Sequence, residues 1–431
     1  MGRLIQVFEH DKLTSKSLCS KGEILGDKII DKLWQYNDSN KNIYFEAIRH
    51  GVKFKNYVGV IQIGGTTIEI LPKADKLNTQ SPTEKDIWHK ILLKMLAHCK
   101  KIKVNAVSEA SLRKRYQSLL DLYFELYLSE VSQLLQKGLI KKYNQKSGNI
   151  VALKGRLDFA KNIQQNVIRQ ERFFTTHQLY DYNHLVNQIL YKALKVLKLI
   201  SNNTYLIDGV NRLIAGFPEI NEIEINKSHF DKVTSNRKTE PYNEALKIAK
   251  MILLNYSPDI KGGDENMLAL LFDMNKLWEE YIYRMLSRCK KENVVVDFQN
   301  SQEFFENRTI RPDLVLTKKV DGITETYIID TKWKILDVSN PKPSDDDLKQ
   351  MFAYNLYWNA KRSMLLYPNS KGIQEAFGNY HKGRDVKPFE KEHNIDYDRT
   401  NQCKVGFVNV LDNSNQLNLN IGKEIFEKII K

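Results

Sequence analysis

The stretch RPDLVLTKKVDGITETYIIDTKWK, residues 311–334, decides the fold of the C-terminal part of this chain. It holds two β-like runs, 310–316 and 326–335, and an Asp-Gly turn signal at 321–322 separates them. Apolar residues fill the centre of each run, and charged residues stand at the ends. The pattern predicts a β-hairpin that carries charged side chains to one edge of a sheet.

Three charged side chains stand at that edge. Asp313 opens the first run, and Asp330 and Lys332 lie two residues apart at the end of the second. Because side chains on a strand alternate, Asp330 and Lys332 share a face, and the turn brings Asp313 beside them. Two adjacent carboxylates repel each other unless a divalent cation binds them, and Mg²⁺ binds through one or two carboxylates plus phosphate and water. We therefore expect Mg²⁺, or Mn²⁺ in its place, to support phosphodiester hydrolysis, with Lys332 holding the attacking water or the phosphate.

A helical pattern precedes the hairpin, from Asn266 to Lys290. Glu279 and Glu280 interrupt its apolar positions, and either one can reach the metal. The alternative is that both lie on an exposed helix face.

A second helical pattern follows the hairpin, from Leu348 to Ala360, and Ser344 with Asp347 three residues later resembles a helix-start box. Gln350 and Tyr354 are four residues apart and so lie on one helix face. Such a pair can contact a DNA phosphate backbone or orient the site on the strands. The alternative is that both lie on a partly exposed helix surface. With a short buried strand at 364–367, the order of elements predicts an α/β core.

The rest of the chain divides by its periodicity. Residues 58–70 alternate around Gly64-Gly65 and predict a β-hairpin, whereas helical spacing recurs at 86–99, 118–136, 184–200 and 242–254. We predict three segments: a β-rich N-terminal domain at 1–115, a mainly helical region at 116–263, and an α/β domain at 264–431.

Composition narrows the class of protein. The 431 residues include 66 Lys and Arg against 52 Asp and Glu, and the net charge of +14 favours an anionic partner, nucleic acid first. The four cysteines are too far apart for a zinc or redox motif, so a reducing cytoplasm fits. The N-terminus is too polar for a secretory signal, and no apolar run is long enough to predict a membrane span. The chain also has no phosphate-binding loop motif, so we expect it to bind no nucleotide itself.

The motif PD-x(16)-D-x-K, followed by Q-x-x-x-Y, resembles the PD-(D/E)XK nuclease fold in its RecB-like form. The wider sequence resembles McrC, the nuclease subunit of McrBC modification-dependent restriction systems. The matching segments follow the family order: GVIQIGGTTIEILPKA (59–74), GLIKKYNQKSGNIVALKGRLDF (138–159), LLFDMNKLWEEYI (270–282), RPDLVL (311–316), IIDTKWK (328–334) and LLYP (365–368).

The resemblance implies roles for individual residues. Asp313 and Asp330 would be metal ligands, and Lys332 the catalytic lysine. Glu279 matches the helical acid by its place in Leu-Trp-Glu, where the family usually has Leu-Phe-Glu. The neighbouring Glu280 keeps that assignment open.

The resemblance also implies a partner, because McrC proteins work with McrB, an AAA+ GTPase ring. The chain would then cut double-stranded, modified DNA, with 5-methylcytosine as the modification, and would stimulate the ring's GTPase. The β-rich N-terminal domain would engage the ring. Two alternatives remain: a stand-alone RecB-like repair nuclease, and a non-catalytic activator or scaffold of an AAA+ motor. An adjacent gene for a McrB-like GTPase favours restriction over stand-alone repair.

Overall fold

A computed structural model of the chain describes residues 3–19, 22–73, 81–101, 118–257, 266–289, 293–320, 322–336, 342–368, 375–380 and 402–430. The segment boundaries predicted at 115/116 and 263/264 lie outside these residues. Helices and sheets alternate along the chain, and the mixed α/β class is confirmed.

The strands that the structure describes are β1 (Arg3–Phe8), β2 (Lys12–Thr14), β3 (Phe45–Ile48), β4 (Gly51–Phe54), β5 (Tyr57–Ile63), β6 (Thr66–Leu71), β7 (Lys142–Ile150), β8 (Arg156–Leu157), β9 (Phe173–Asp181), β10 (Tyr256–Ser257), β11 (Met267–Asp273), β12 (Val294–Phe298), β13 (Gln302–Phe305), β14 (Arg308–Ile310), β15 (Leu314–Val320), β16 (Ile323–Thr331), β17 (Arg362–Pro368), β18 (Phe377–Asn379) and β19 (Gln402–Val408). The helices in the same residues are α1 (Asp27–Ser39), α2 (Pro82–His98), α3 (Leu119–Lys137), α4 (Phe159–Asn166), α5 (Leu185–Ile200), α6 (Thr204–Ala215), α7 (Lys227–Asp231), α8 (Asn243–Asn255), α9 (Met274–Arg288), α10 (Asp345–Tyr357) and α11 (Ile421–Ile430). In the described part of the chain, no helix is long and apolar enough to cross a membrane.

A five-stranded sheet, here called the first sheet, has the order β1-β6-β5-β11-β10. Its hairpin β5–β6 confirms the predicted turn at Gly64-Gly65. Strand β11 pairs antiparallel with β5 along the whole length of both strands. The helix predicted from Asn266 is therefore wrong over 267–273, where the apolar run MLALLFD completes this sheet, and α9 begins only at Met274.

The middle of the chain is less helical than predicted. Helices α3, α5 and α8 match the patterns, and Ser118 begins α3 by accepting a hydrogen bond from the Asp121 amide. Between them, however, β7, β9 and β8 form a three-stranded sheet over residues 142–181. Strand β7 is largely polar and exposed, so its sequence carries little of the apolar alternation by which a strand is recognised.

A six-stranded mixed sheet, here called the site sheet, has the order β12-β15-β16-β17-β19-β18. The predicted hairpin is confirmed as the antiparallel pair β15–β16, although β15 begins only after Asp313 and β16 ends at Thr331. Strand β17, parallel to β16, is the predicted buried strand.

Helices cover both faces of the site sheet. On one face, Ile329 and Leu366 belong to the large core that includes α9 and α11. On the other, Ile328 and Leu365 pack with Met351 and the rest of the inner face of α10. The end of β16 thus emerges between two helical layers, close to both α9 and α10.

Candidate active site

Asp313 and Asp330 face each other at the end of the β15–β16 hairpin. The register pairs Leu314 with Ile329, so the next pair outward is Asp313 with Asp330. Asp313 Oδ2 accepts hydrogen bonds from the Thr331 amide at 2.7 Å and from the Thr331 hydroxyl at 2.9 Å. These bonds fix the Asp313 carboxylate beside Asp330, as the strand spacing predicted.

Lys332 lies between two carboxylates. Its Nζ is 2.7 Å from Asp330 Oδ2 and 3.3 Å from Asp347 Oδ1. Burial lowers the pKa of the Lys332 ammonium, but the two adjacent carboxylates outweigh burial and raise the pKa overall. The ammonium therefore stays charged and is held on the face that Asp330 occupies.

Gln350 and Tyr354 support the site from α10. The Lys332 ammonium donates to Gln350 Oε1 at 3.4 Å, and Gln350 Nε2 donates to the Tyr354 hydroxyl at 2.6 Å. The Tyr354 hydroxyl donates in turn to the Arg311 carbonyl at 2.8 Å. Of the two predicted roles, this chain of bonds fits orientation of the strand-borne site, because it joins Lys332 to the backbone just before Asp313.

Glu279 reaches the same site from α9. It is 9% exposed, and its Oε1 accepts a hydrogen bond from Gln299 Nε2 at 2.7 Å. Glu280 points elsewhere, because it pairs with Lys101 at 2.9 Å and with Arg284 at 3.2 Å. Glu279 thus lies close enough for its charge to act on Asp313 and for the charge of Asp330 to act on it, whereas Glu280 is paired with two cations.

The electrostatics of the three acids reflect their crowding. Burial, with the negative charge of Glu279, raises the pKa of Asp313 to about 6. Burial, with the charge of Asp313, raises the pKa of Asp330 to about 7. Burial also raises the pKa of Glu279. Each carboxyl group is therefore harder to ionise here than in water, and a bound cation would favour its ionised form.

The donor set fits a hard divalent cation. In the described residues no three His, Cys, Asp or Glu side chains enclose a metal position by themselves. Mg²⁺ does not need such a cage, because substrate phosphate and water complete the coordination that one or two carboxylates begin. Asp313 and Asp330 meet this requirement with oxygen donors, and Glu279 is close enough for its charge to act on Asp313.

Comparison with known proteins identifies the family. The model of the family described as "McrBC 5-methylcytosine restriction system component" matches residues 52–368, well over half of the chain. This chain belongs to the McrBC restriction component family. The resemblance to McrC drawn from the sequence segments is thereby confirmed.

Three similar proteins share between 18% and 25% of their aligned residues with this McrBC component. The type IV methyl-directed restriction enzyme EcoKMcrBC of Escherichia coli K12 is 25% identical over 226 residues, which are 50% of this chain and 64% of that protein. The match thus spans less than two thirds of the relative. A chain from an assembly of Thermococcus gammatolerans McrB AAA+ hexamers with bound McrC has the same fold, with a TM-score of 0.68, 18% identity and 99% of both chains covered. A chain of the Thermococcus gammatolerans McrBC complex matches with a TM-score of 0.50 and 20% identity, covering 67% of this chain and 88% of that one.

Two residues of this McrBC component that the sequence reasoning missed also shape the site. Gln299 holds Glu279 with its side chain, and its own amide donates to the Asp313 carbonyl at 2.9 Å. Asp347, considered only as part of a helix start, pairs with Lys332. Three consecutive aspartates begin α10, and Asp347 is the buried one. The sequence shows the run of aspartates but not which of them faces Lys332.

Proposed function

We propose that this chain is the DNA-cleaving subunit of an McrBC-type restriction complex and that its site sheet is a PD-(D/E)XK nuclease core. The observation that carries the proposal is the convergence of Asp313, Asp330 and Lys332 on one face at the end of a hairpin. The reaction is hydrolysis of a DNA phosphodiester. Asp313 and Asp330, with Glu279 beside them, would hold Mg²⁺.

The residues of the site would have different roles in the reaction. Bound Mg²⁺ would polarise the phosphate and make water a better nucleophile. The Lys332 ammonium, fixed between Asp330 and Asp347, positions the attacking water or the scissile phosphate. Gln350 and Tyr354 fix the position of Lys332 relative to the Arg311 backbone through hydrogen bonds. The nucleophile and the phosphate therefore meet in one orientation.

The proposed partner is a McrB-like AAA+ GTPase ring. Two observations support it: the family description names the McrBC system, and the whole chain has the fold of a chain from an assembly of McrB hexamers with bound McrC. We propose that this chain stimulates the ring's GTPase and cuts DNA carrying 5-methylcytosine. Family membership favours this function over stand-alone repair.

The test is cleavage of methylated and unmethylated DNA by the chain with a McrB-like ring, GTP and Mg²⁺. Alanine at Asp313, Asp330 or Lys332 should lower the cleavage rate by about 100-fold or more, because each removes a group that stabilises the transition state. Glu279→Ala should have a similar or weaker effect. Chelation of the metal should abolish cleavage, and Ca²⁺ should permit DNA binding with little turnover.

Glu280→Ala is the matched control, since Glu280 lies on the same helix turn but pairs with Lys101 and Arg284. It should cut like the wild type. Wild-type cleavage by a folded Asp330→Ala protein would refute the assignment.

A further inference from the structure

Glu9 is a buried acid in the first sheet, immediately after the end of β1. Its side chain is 1% exposed. Its amide continues the pairing of β1 with β6 by donating to the Leu71 carbonyl at 2.9 Å. Burying a carboxylate costs free energy unless hydrogen bonds compensate it, so the partners of Glu9 indicate what it does.

The partners of Glu9 belong to two distant parts of the chain. Oε1 accepts a hydrogen bond from the Lys73 amide at 2.9 Å and one from Trp333 Nε1 at 2.6 Å. Trp333 lies 324 residues after Glu9 and directly after Lys332. In the described residues Oε2 makes no hydrogen bond, and His10 Nε2 lies 3.8 Å from it.

Trp333 connects the segment that carries Lys332 with helix α9, which carries Glu279. Strand β16 ends at Thr331, and the Lys332 amide, which donates to the Leu366 carbonyl at 2.8 Å, keeps the segment on the sheet for one residue more. The buried Trp333 ring packs against Trp278, with ring centroids 5.2 Å apart. Trp278 immediately precedes Glu279 on α9. The Trp333 indole therefore follows Lys332 in the chain and packs against the residue that precedes Glu279.

We propose that Glu9 is a positioning residue of the nuclease site: by holding the Trp333 indole, it fixes the segment that carries Lys332 against the helix that carries Glu279. The first sheet is then part of the frame of the active site. This inference rests on the proposed nuclease function. Glu9 touches neither DNA nor metal in this scheme and acts only through Trp333.

A second buried acid of the first sheet provides the comparison. Glu69 is 1% exposed and accepts hydrogen bonds from the Leu119 amide at 2.7 Å and from Gln6 at 2.8 Å, and it pairs with His89 at 3.2 Å. None of these partners adjoins Lys332 or Glu279. If a buried acid in this sheet served stability alone, loss of Glu9 and loss of Glu69 would have the same effect on kcat.

The experiment measures kcat and KM for DNA cleavage by the full chain in its ring complex. Trp333→Phe retains an aromatic ring next to Trp278 but removes the N–H donor together with part of the indole, whereas Glu9→Ala removes the acceptor. Each should lower kcat by about tenfold or more with KM for DNA unchanged, since a misplaced reacting group costs rate. Glu9→Gln retains the acceptor oxygen and should restore most of kcat. The double variant should be no slower than the slower single variant.

Glu69→Ala, assayed below its Tm, should keep the wild-type kcat. A wild-type kcat in Trp333→Phe, or an equal loss in Glu69→Ala, would overturn the positioning role, and Trp333→Phe decides alone if Glu9→Ala does not fold. Asp330→Ala, assayed in parallel, separates the two proposals. If it cuts like the wild type, the nuclease assignment fails; if it is inactive while the Glu9 and Trp333 variants are normal, only the positioning role fails.

Discussion

The Asp330 carboxylate is 3% exposed and lies beside Asp313, so its charge opposes folding when no cation is bound. The pKa of Asp330 is raised from 3.8 to about 7, chiefly by burial. Between those values the native state binds more protons than the unfolded state, and the free energy of unfolding falls as pH rises. The buried acids of the candidate site thus lower the stability of the metal-free fold.

Replacement of Asp330 by Asn should therefore stabilise the metal-free protein at pH 8, by about 1 to 2 kcal/mol, while abolishing cleavage. Mg²⁺ should raise the Tm of the wild type, because it binds only the native state, and should raise that of Asp330→Asn much less. Asp346→Asn, at an exposed position of α10, should behave as the wild type in both conditions. Thermal unfolding in chelator and in Mg²⁺ measures both effects, and a lower Tm for Asp330→Asn in chelator at pH 8 would contradict the argument.

For single residues, the sequence predicted the members of the candidate site only where local backbone geometry brings the side chains together. The strand period was enough to place Asp330 and Lys332 together, and the hairpin was enough to add Asp313. Gln299 and Asp347 reach the site through contacts between separate elements, and no local spacing records such contacts. The choice between Glu279 and Glu280 likewise required the packing of α9.

Among the elements, β11 shows why some assignments fail. Six of its seven residues are apolar, and by composition they fit a buried strand or the start of a helix equally well. The segment forms a strand because it pairs with β5, which lies more than 200 residues earlier in the chain. Helix α3 was predictable from its apolar period, and α10 from Ser344, which caps its first turn.

Strand β6 is tied to two helices by Glu69, which pairs with His89 of α2 and accepts from the Leu119 amide of α3. Burial opposes ionisation of both side chains, but their mutual attraction outweighs it: the pKa of Glu69 is lowered from 4.5 and that of His89 is raised from 6.5. The stability from this pair is therefore complete between those two unfolded-state values. It is lost as pH rises through the raised pKa of His89, or falls through the lowered pKa of Glu69.

His89→Ala should accordingly cost most stability near pH 5.5, about 2 kcal/mol or more, and less at pH 9, where the wild type has also lost the ion pair. Urea unfolding of both proteins across this range measures the difference. His98→Ala is a suitable control, because His98 contacts the Arg288 guanidinium at 2.8 Å rather than a carboxylate, and burial together with that cation lowers the pKa of His98. A cost for His89→Ala that is constant from pH 5.5 to 9 would show that packing, not charge, explains the contact.

In the whole molecule, the first sheet and the candidate site are physically continuous. Strand β11 lies inside the first sheet and leads straight into α9, and the Met274 amide that begins α9 donates to the Asn56 carbonyl at 2.9 Å. Cutting the chain at residue 263 would therefore remove β11, one of the two partners of β5, and expose buried residues such as Ile61 and Ile63. The three predicted segments are not independent pieces, so their division of labour must be tested in the full chain.

The last prediction concerns that division: full-length Asp330→Ala should lose cleavage but still raise the GTP turnover of a McrB-like ring, because the acid removed lies in the site sheet. If the β-rich N-terminal domain engages the ring, polar replacement of its exposed apolar pair Leu18 and Ile24 should reduce stimulation. The matched replacement of Phe159 and Ile163, equally exposed on α4, should not. GTP turnover with each full-length variant decides the matter. If stimulation is lost with the α4 variant and kept with the N-terminal one, the ring-binding surface lies in the middle of the chain and the N-terminal assignment is wrong.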